Sequence, residues 1–277
     1  MSPTISRLYA VTNAIVTALV IGWNYWTSVY GFAGNKVGEM SDRYDTLFTP
    51  AGYAFSIWGI IFLGLLVHAG YQLWLAFRGE DPDFFRRLGP WLILTNLANG
   101  AWVVAWLTEF TGLSVLILAS MFVFLSIAMW RLDMETWDAP FRIIALVWWP
   151  LAIYAGWVTV AVLANLSAYL SKTGIVPGTS ATWAIAMIAI ATGVNVVLIW
   201  RRNLREHALV AVWALAAIAV RQWGETPSVQ WTATGCAALL LVLIAGHAVL
   251  VPRTAGSPRP ASAPHLPQRA RRRSTLP

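Results

Sequence analysis

Charge is what this chain has least of. Asp, Glu, Lys and Arg make up 11% of its 277 residues, less than half the ~25% usual in soluble domains, and each falls in or at the edge of a loop. The long apolar runs carry no formal charge. That excludes an ordinary soluble domain and weighs against a proton pump or ion-coupled carrier, which buries a titrating or coordinating acid. Cysteine is nearly absent: Cys236 has no partner in the chain, so no intrachain disulfide and no cysteine metal cluster can form. Acidic residues stop at Glu225, whereas Arg253, Arg259, Arg269, Arg271, Arg272 and Arg273 follow. The net charge of +7 therefore resides almost wholly in the last 25 residues, and a nucleic-acid partner is not expected. No nucleophile or general acid-base constellation lies within the apolar runs.

What is abundant is hydrophobic surface, 58% of the chain. Eight segments read as bilayer crossings, which need roughly 17 to 25 residues. They are approximately 8–30, 53–77, 90–107, 113–130, 141–170, 182–200, 208–220 and 231–251, the seventh being short. With eight crossings, fifteen of the nineteen Lys and Arg residues fall on the side of the N-terminus and four on the other. Positive residues accumulate on the cytoplasmic side, so both termini are expected in the cytoplasm of a bacterial inner membrane. The expected architecture is an all-α polytopic membrane bundle: a five-helix core over 1–172, three more helices over 173–251, and a basic tail over 252–277. The tail's composition predicts disorder, and its arginines could meet anionic lipids.

Seventeen tryptophans exceed what interfacial belts require, since several fall in mid-helix. Three helices collect them with amides on one face. Pro50 and Gly52 break the loop before the second run, where Phe55, Trp58 and Phe62 then recur at i, i+3 and i+7. Asn99, Trp102 and Trp106 repeat that spacing in the third run, and Tyr154, Trp157, Ala161 and Asn165 step by 3, 4 and 4 in the fifth. Small Ala161 leaves room between large neighbours. Such faces suit a flat apolar ligand, because rings stack and a few amides fix orientation; they equally suit helix packing.

The remaining interior polar groups are Asn13, Asn96, Asn195, His68 and His247. For the asparagines the default role is interhelical hydrogen bonding, worth about 1 kcal/mol each. A haem ligand at His68 or His247 is the weaker reading, since neither has a second ligand at i+3 or i+4. Pro150 should kink the fifth helix. The loop over 31–49 has a composition that permits a lid.

These motifs resemble the tryptophan-rich sensory protein and translocator protein family (TspO/MBR, the peripheral benzodiazepine receptor family), from about Arg7 to Lys172. Pro50-Ala51-Gly52-Tyr53-Ala54-Phe55 is similar to that family's Pro-Pro-Gly-Trp-x-Phe, and Ile57 to Phe62 to the Val-Trp-x-x-Leu-Tyr that follows. Asn99-Gly100-Ala101-Trp102 matches Asn-x-Ala-Trp, and Trp157 to Ala161 with Asn165 matches Trp-Val-x-Phe-Ala followed by Asn. Departures are Tyr53 for tryptophan, Ala51 for the second proline, one residue fewer between Phe55 and Trp58, and Pro150 about a turn early.

The resemblance implies a five-helix fold with a pocket for porphyrins, sterols or aromatic drugs. The implied ligand-binding residues are Tyr53, Phe55, Trp58, Asn99, Trp102, Trp157 and Ala161, to which the helical faces add Pro50, Phe62, Tyr154 and Asn165. No obligatory cofactor is expected; a bound porphyrin or haem is the candidate ligand, and a sterol-like molecule the other. Sensing, sequestration or transfer would be the role. Two competing readings are a light- and oxygen-dependent porphyrin-degrading enzyme, with Trp58, Trp102 or Trp157 as electron donors, and a ligand-free assembly protein. The helices after Lys172 would cover one face of the core or replace the partner subunit with which shorter members dimerise.

Overall fold

A computed structural model describes residues 2–250; the basic tail, and the expectations attached to it, lie outside them. All regular structure among the described residues is helical, apart from one isolated bridge between Phe32 and Asn35. Helix α1 (Pro3–Tyr30) begins where the Ser2 hydroxyl accepts the Ile5 N–H at 3.4 Å. It ends at Gly31, whose φ of +76° places it where a side chain is strained. A short helix α2 (Val37–Arg43) follows in the loop. The second apolar run opens with a 3₁₀ turn, Gly52–Ser56, and only then becomes α3 (Ile57–Arg78), so the α-helix starts four residues later than expected.

Helix α4 (Pro82–Leu88) is a short helix capped by the Asp81 carboxylate, with Phe84, Phe85 and Leu88 buried. Helices α5 (Trp91–Leu107) and α6 (Thr111–Arg131) form a tight hairpin. The fifth run starts as α7 (Phe141–Ile143), widens into a π turn over Ile144–Trp148, and continues as α8 (Trp149–Lys172). Helices α9 (Ala181–Arg202), α10 (Arg205–Arg221) and α11 (Pro227–Leu250) complete the described chain.

Six of these elements are long and apolar enough to cross a membrane. At 17 residues each, α5 and α10 fall just short, spanning about 25 Å at 1.5 Å per residue. Both nevertheless run from one end of the bundle to the other. At the α2 end, Glu109 of the α5–α6 turn meets Arg43, and Arg221 at the close of α10 meets Asp42. At the opposite end, Arg87 meets Asp133 at 2.7 Å and Asn203, just before α10, donates to Glu135 at 3.1 Å. The doubtful seventh segment is thus a full crossing of the bundle, and the protein is an integral multi-pass membrane bundle.

Helices α1, α3, α8, α6 and α5 close into a ring in that order, each packing on the next and α5 returning to α1. Helix α8 is the most enclosed of the long apolar spans, because α10 packs on its outer side and carries α9 and α11. The two units meet closely at Gly156, where an added Cβ would lie 2.7 Å from the His207 carbonyl oxygen and 2.9 Å from Val210 Cβ.

The interior amides behave as interhelical links. Asn13 donates to Gln72, Asn96 to Thr17, and Asn24 to Asn99, all across helices at 2.8 to 3.2 Å. Asn195 accepts from His207 Nδ1 at 2.8 Å, and His207 Nε2 lies 3.1 Å from the Thr159 hydroxyl, joining α9, α10 and α8. His68 is engaged at both nitrogens. Its Nδ1 donates to the Leu146 carbonyl and its Nε2 accepts from Gln72, each at 2.7 Å. Pro150 explains the first bond: the regular donor to the Leu146 carbonyl would be the N–H of residue 150, and proline has none. The local response to Pro150 is therefore a π turn capped from α3.

Candidate functional site

At the α2 end the ring holds a small cavity of about 40 Å³. Its floor is aromatic. Trp102 and Trp106 enter from α5, Trp157 from α8, and Phe55 and Trp58 from the start of α3. Successive small or short residues on α8, Val160, Ala161, Ala164 and Ala168, form the wall that keeps the space open. Their spacing, taken with Trp157 and Asn165, is a continuous helical stripe. A second compartment of about 230 Å³ adjoins it across Phe55, Trp58 and Trp102, extending to Phe62 and Asn24. The rings are packed on one another: Trp58 stacks on Trp102 at 6.3 Å, and Trp157 meets Phe55 edge-on at 5.8 Å and Trp58 at 6.5 Å.

Eight of the eleven residues singled out from the sequence line these two compartments: Pro50, Phe55, Trp58, Phe62, Trp102, Trp157, Ala161 and Asn165. Three do not. Tyr53 is exposed and turns outward to pack edge-on against Trp213 of α10 at 5.2 Å. Tyr154 lies behind Trp58, edge-on at 6.0 Å. Asn99 is fully buried and accepts from Asn24; its Nδ2 lies beside the Tyr154 hydroxyl without a hydrogen bond of good geometry. Asn165 reaches the cavity already committed, since its Oδ1 accepts from Trp102 Nε1 at 3.2 Å and Ser114 at 2.8 Å while its Nδ2 donates to Ala161.

The loop over 31–56 roofs the cavity, with Val37, Ser41, Tyr44 and Thr49 facing it. Its fold depends on Gly31, where a Cβ would meet the Asn35 carbonyl oxygen at 2.9 Å. Two groups of contacts hold it down. On the core side, Asn35 donates to the Leu107 carbonyl at 2.8 Å and Trp106 Nε1 to that of Val37 at 3.3 Å. Glu109 takes Arg43 at 2.6 Å and the Tyr44 hydroxyl at 2.5 Å, with Lys172 Nζ 3.7 Å away. On the side of the C-terminal helices, Arg221 pairs with Asp42 at 3.2 Å and Asp45 at 3.1 Å. There the Ala51 N–H also donates to Ala217 at 3.1 Å, the Leu47 N–H to Gly178 at 3.0 Å, and Trp213 Nε1 to Ala54 at 3.1 Å. None of the roof residues carried a sequence signal of its own beyond the loop's permissive composition.

The family follows from the chain itself. The family model of the TSPO-like proteins matches residues 10–246. This chain belongs to the TSPO-like protein family. The match continues through α9, α10 and α11 instead of stopping near Lys172, so the last three helices are part of the TSPO-like pattern. No curated protein and no solved structure matches the chain.

Glu109 gives the roof a pH dependence. The hydrogen bond from Tyr44, together with the charges of Arg43 and Lys172, holds its carboxyl below the usual range, outweighing the opposing effect of burial. A carboxylate with a lowered folded pKa contributes stability above its ordinary value, about pH 4, and that contribution is lost as pH falls through the lowered value. Amide exchange over Val37–Arg43 is therefore expected to accelerate as pH falls below about 4 after correction for intrinsic exchange. Glu109→Gln should abolish that rise; an unchanged profile would assign the rise to another acid.

Proposed function

We propose that this TSPO-like protein binds a flat, largely apolar ligand, a tetrapyrrole such as porphyrin or haem, beneath the α2 roof, for sensing, sequestration or transfer. The observation that carries the reading is the convergence of four indoles and Phe55 on one roofed cavity whose opposite wall is alanine and valine. Its volume, about 40 Å³ with the roof down, is well below the roughly 300 to 1,000 Å³ typical of small-molecule sites, so the ligand would need the roof lifted and the adjoining compartment of about 230 Å³ opened to it. Ring faces supply dispersion and stacking at about 0.5 to 1.5 kcal/mol per good pair. Because Asn165 is already hydrogen-bonded on its oxygen, and the hydroxyls of Tyr44 and Thr49 are engaged with Glu109 and Thr46, orientation would fall first to Ser41 of the roof. Ligand entry requires the roof to lift, since it is anchored on both sides.

The test is tryptophan-fluorescence quenching of the full chain in detergent by protoporphyrin IX and by haem. Saturable quenching is expected in the wild type. Ala161→Trp, which fills the space between Trp102 and Trp157, should weaken binding at least about tenfold, while Trp157→Phe should reduce the amplitude and leave saturation intact. Linear quenching identical in all three proteins would mean that the porphyrin partitions into the micelle, and would overturn the reading.

A further inference from the structure

Another cavity, of about 280 Å³, lies at the opposite end of the molecule, in the seam between α6 and α9. Both helices pack on α8, but they do not pack along each other, so a groove is left where the five-helix ring meets the C-terminal unit. Its walls are apolar, with Met129, Val197 and Leu198 prominent, and Val197 is more than half exposed. At its end stand Arg201 and Arg202. Among the described residues, neither guanidinium has a carboxylate within ion-pairing distance, whereas Arg87, Arg43 and Arg221 all do. In the adjoining loop, Glu135 accepts from Asn203 at 3.1 Å.

The groove also has a built head-group level. Arg202 is held over the ring of Trp130 at 4.1 Å, and Trp130 and Trp200 are both exposed at the helix ends, where indoles mark the membrane–water interface. Cationic groups at interfacial depth, above an apolar trough running toward the bilayer centre, complement a molecule with an anionic head and an acyl chain. Basic pockets between membrane helices are a recurrent means of holding anionic head groups.

We infer that this seam is a binding site for an anionic phospholipid, its phosphate at Arg201 and Arg202 and one acyl chain along Val197 and Met129. The apolar walls distinguish a lipid from a free phosphate ion, which would gain nothing from them. Such a lipid would fill the joint between the core and the three C-terminal helices.

Native mass spectrometry of the full chain in detergent tests this, with phosphatidylglycerol, phosphatidylcholine and inorganic phosphate as probes. One phosphatidylglycerol is expected to remain bound at energies that strip phosphatidylcholine. Arg201→Gln/Arg202→Gln should weaken its retention roughly tenfold, and Arg201→Lys/Arg202→Lys should restore most of it. Val197→Trp, which leaves both arginines in place, should also displace the lipid. Equal retention of the two lipids, or displacement by millimolar inorganic phosphate, would overturn the proposal. So would a loss seen only when Arg271, Arg272 and Arg273 of the tail are changed to glutamine.

Discussion

Replacing Gly156 is expected to separate the two halves of this protein. In Gly156→Ala the new methyl would lie 2.7 Å from the His207 carbonyl oxygen and 3.2 Å from its Cα. Both are backbone atoms, which cannot swing aside as a flexible side chain can. The helices must move apart, and overpacking of this kind costs typically 1 to 3 kcal/mol. The same displacement stretches the Thr159–His207–Asn195 hydrogen bonds. We expect a loss of about 3 kcal/mol for Gly156→Ala, a fall in melting temperature on the order of 10 °C, and a larger loss for Gly156→Val. Because Arg221, Ala217 and Trp213 of α10 hold the roof, the variant should also show faster amide exchange over Val37–Arg43. Thermal unfolding in detergent, with exchange measured on the same samples, checks both. Val210→Ala in the Gly156→Ala background should recover little of the loss, since alanine keeps the Cβ at 2.9 Å and the carbonyl stays in place. An unchanged melting temperature would show that α8 and α10 are not pressed together at this point.

The contrast between core and C-terminal unit shows what a single sequence can reveal. Helical periodicity places Phe55, Trp58, Trp102, Trp157 and Ala161 on common faces, because a repeat of 3.6 residues is local information. It is silent on which faces meet. Tyr53 lies in the same motif as Phe55, yet it turns to Trp213, a partner 160 positions away whose helix was the least evident of the eight. Asn165 was legible as a polar group on the right face. Its commitment to Ser114 and Trp102 was not, since both partners are on other helices. The roof depends on Arg221 and Gly178 in the same way. His207 escaped notice because it opens a short apolar run, although Ala155 and Thr159, one turn apart on α8, mark a face with room for a polar partner.

Removal of His68 is expected to be the other costly change, and Pro150 is the reason. With no N–H at residue 150, the Leu146 carbonyl depends on Nδ1 of the fully buried His68, while Gln72 donates to the other ring nitrogen. His68→Leu preserves bulk and removes both bonds together. A buried polar group left unpaired costs about 1 to 3 kcal/mol, so two of them should lower stability by roughly 3 kcal/mol or more, again a melting shift on the order of 10 °C. Gln72, freed of its acceptor, should also loosen its bond from Asn13, carrying the disturbance to α1. The decisive sample is the double variant His68→Leu/Pro150→Ala. An alanine at 150 restores an N–H that can reach the Leu146 carbonyl within a regular helix, so it should recover about 1 kcal/mol, the net worth of one such bond. Recovery would establish that the histidine serves the proline's missing donor. Equal instability of the single and double variants would instead place the cost in the Gln72 and Asn13 amides, and the π turn would then need a cause other than Pro150.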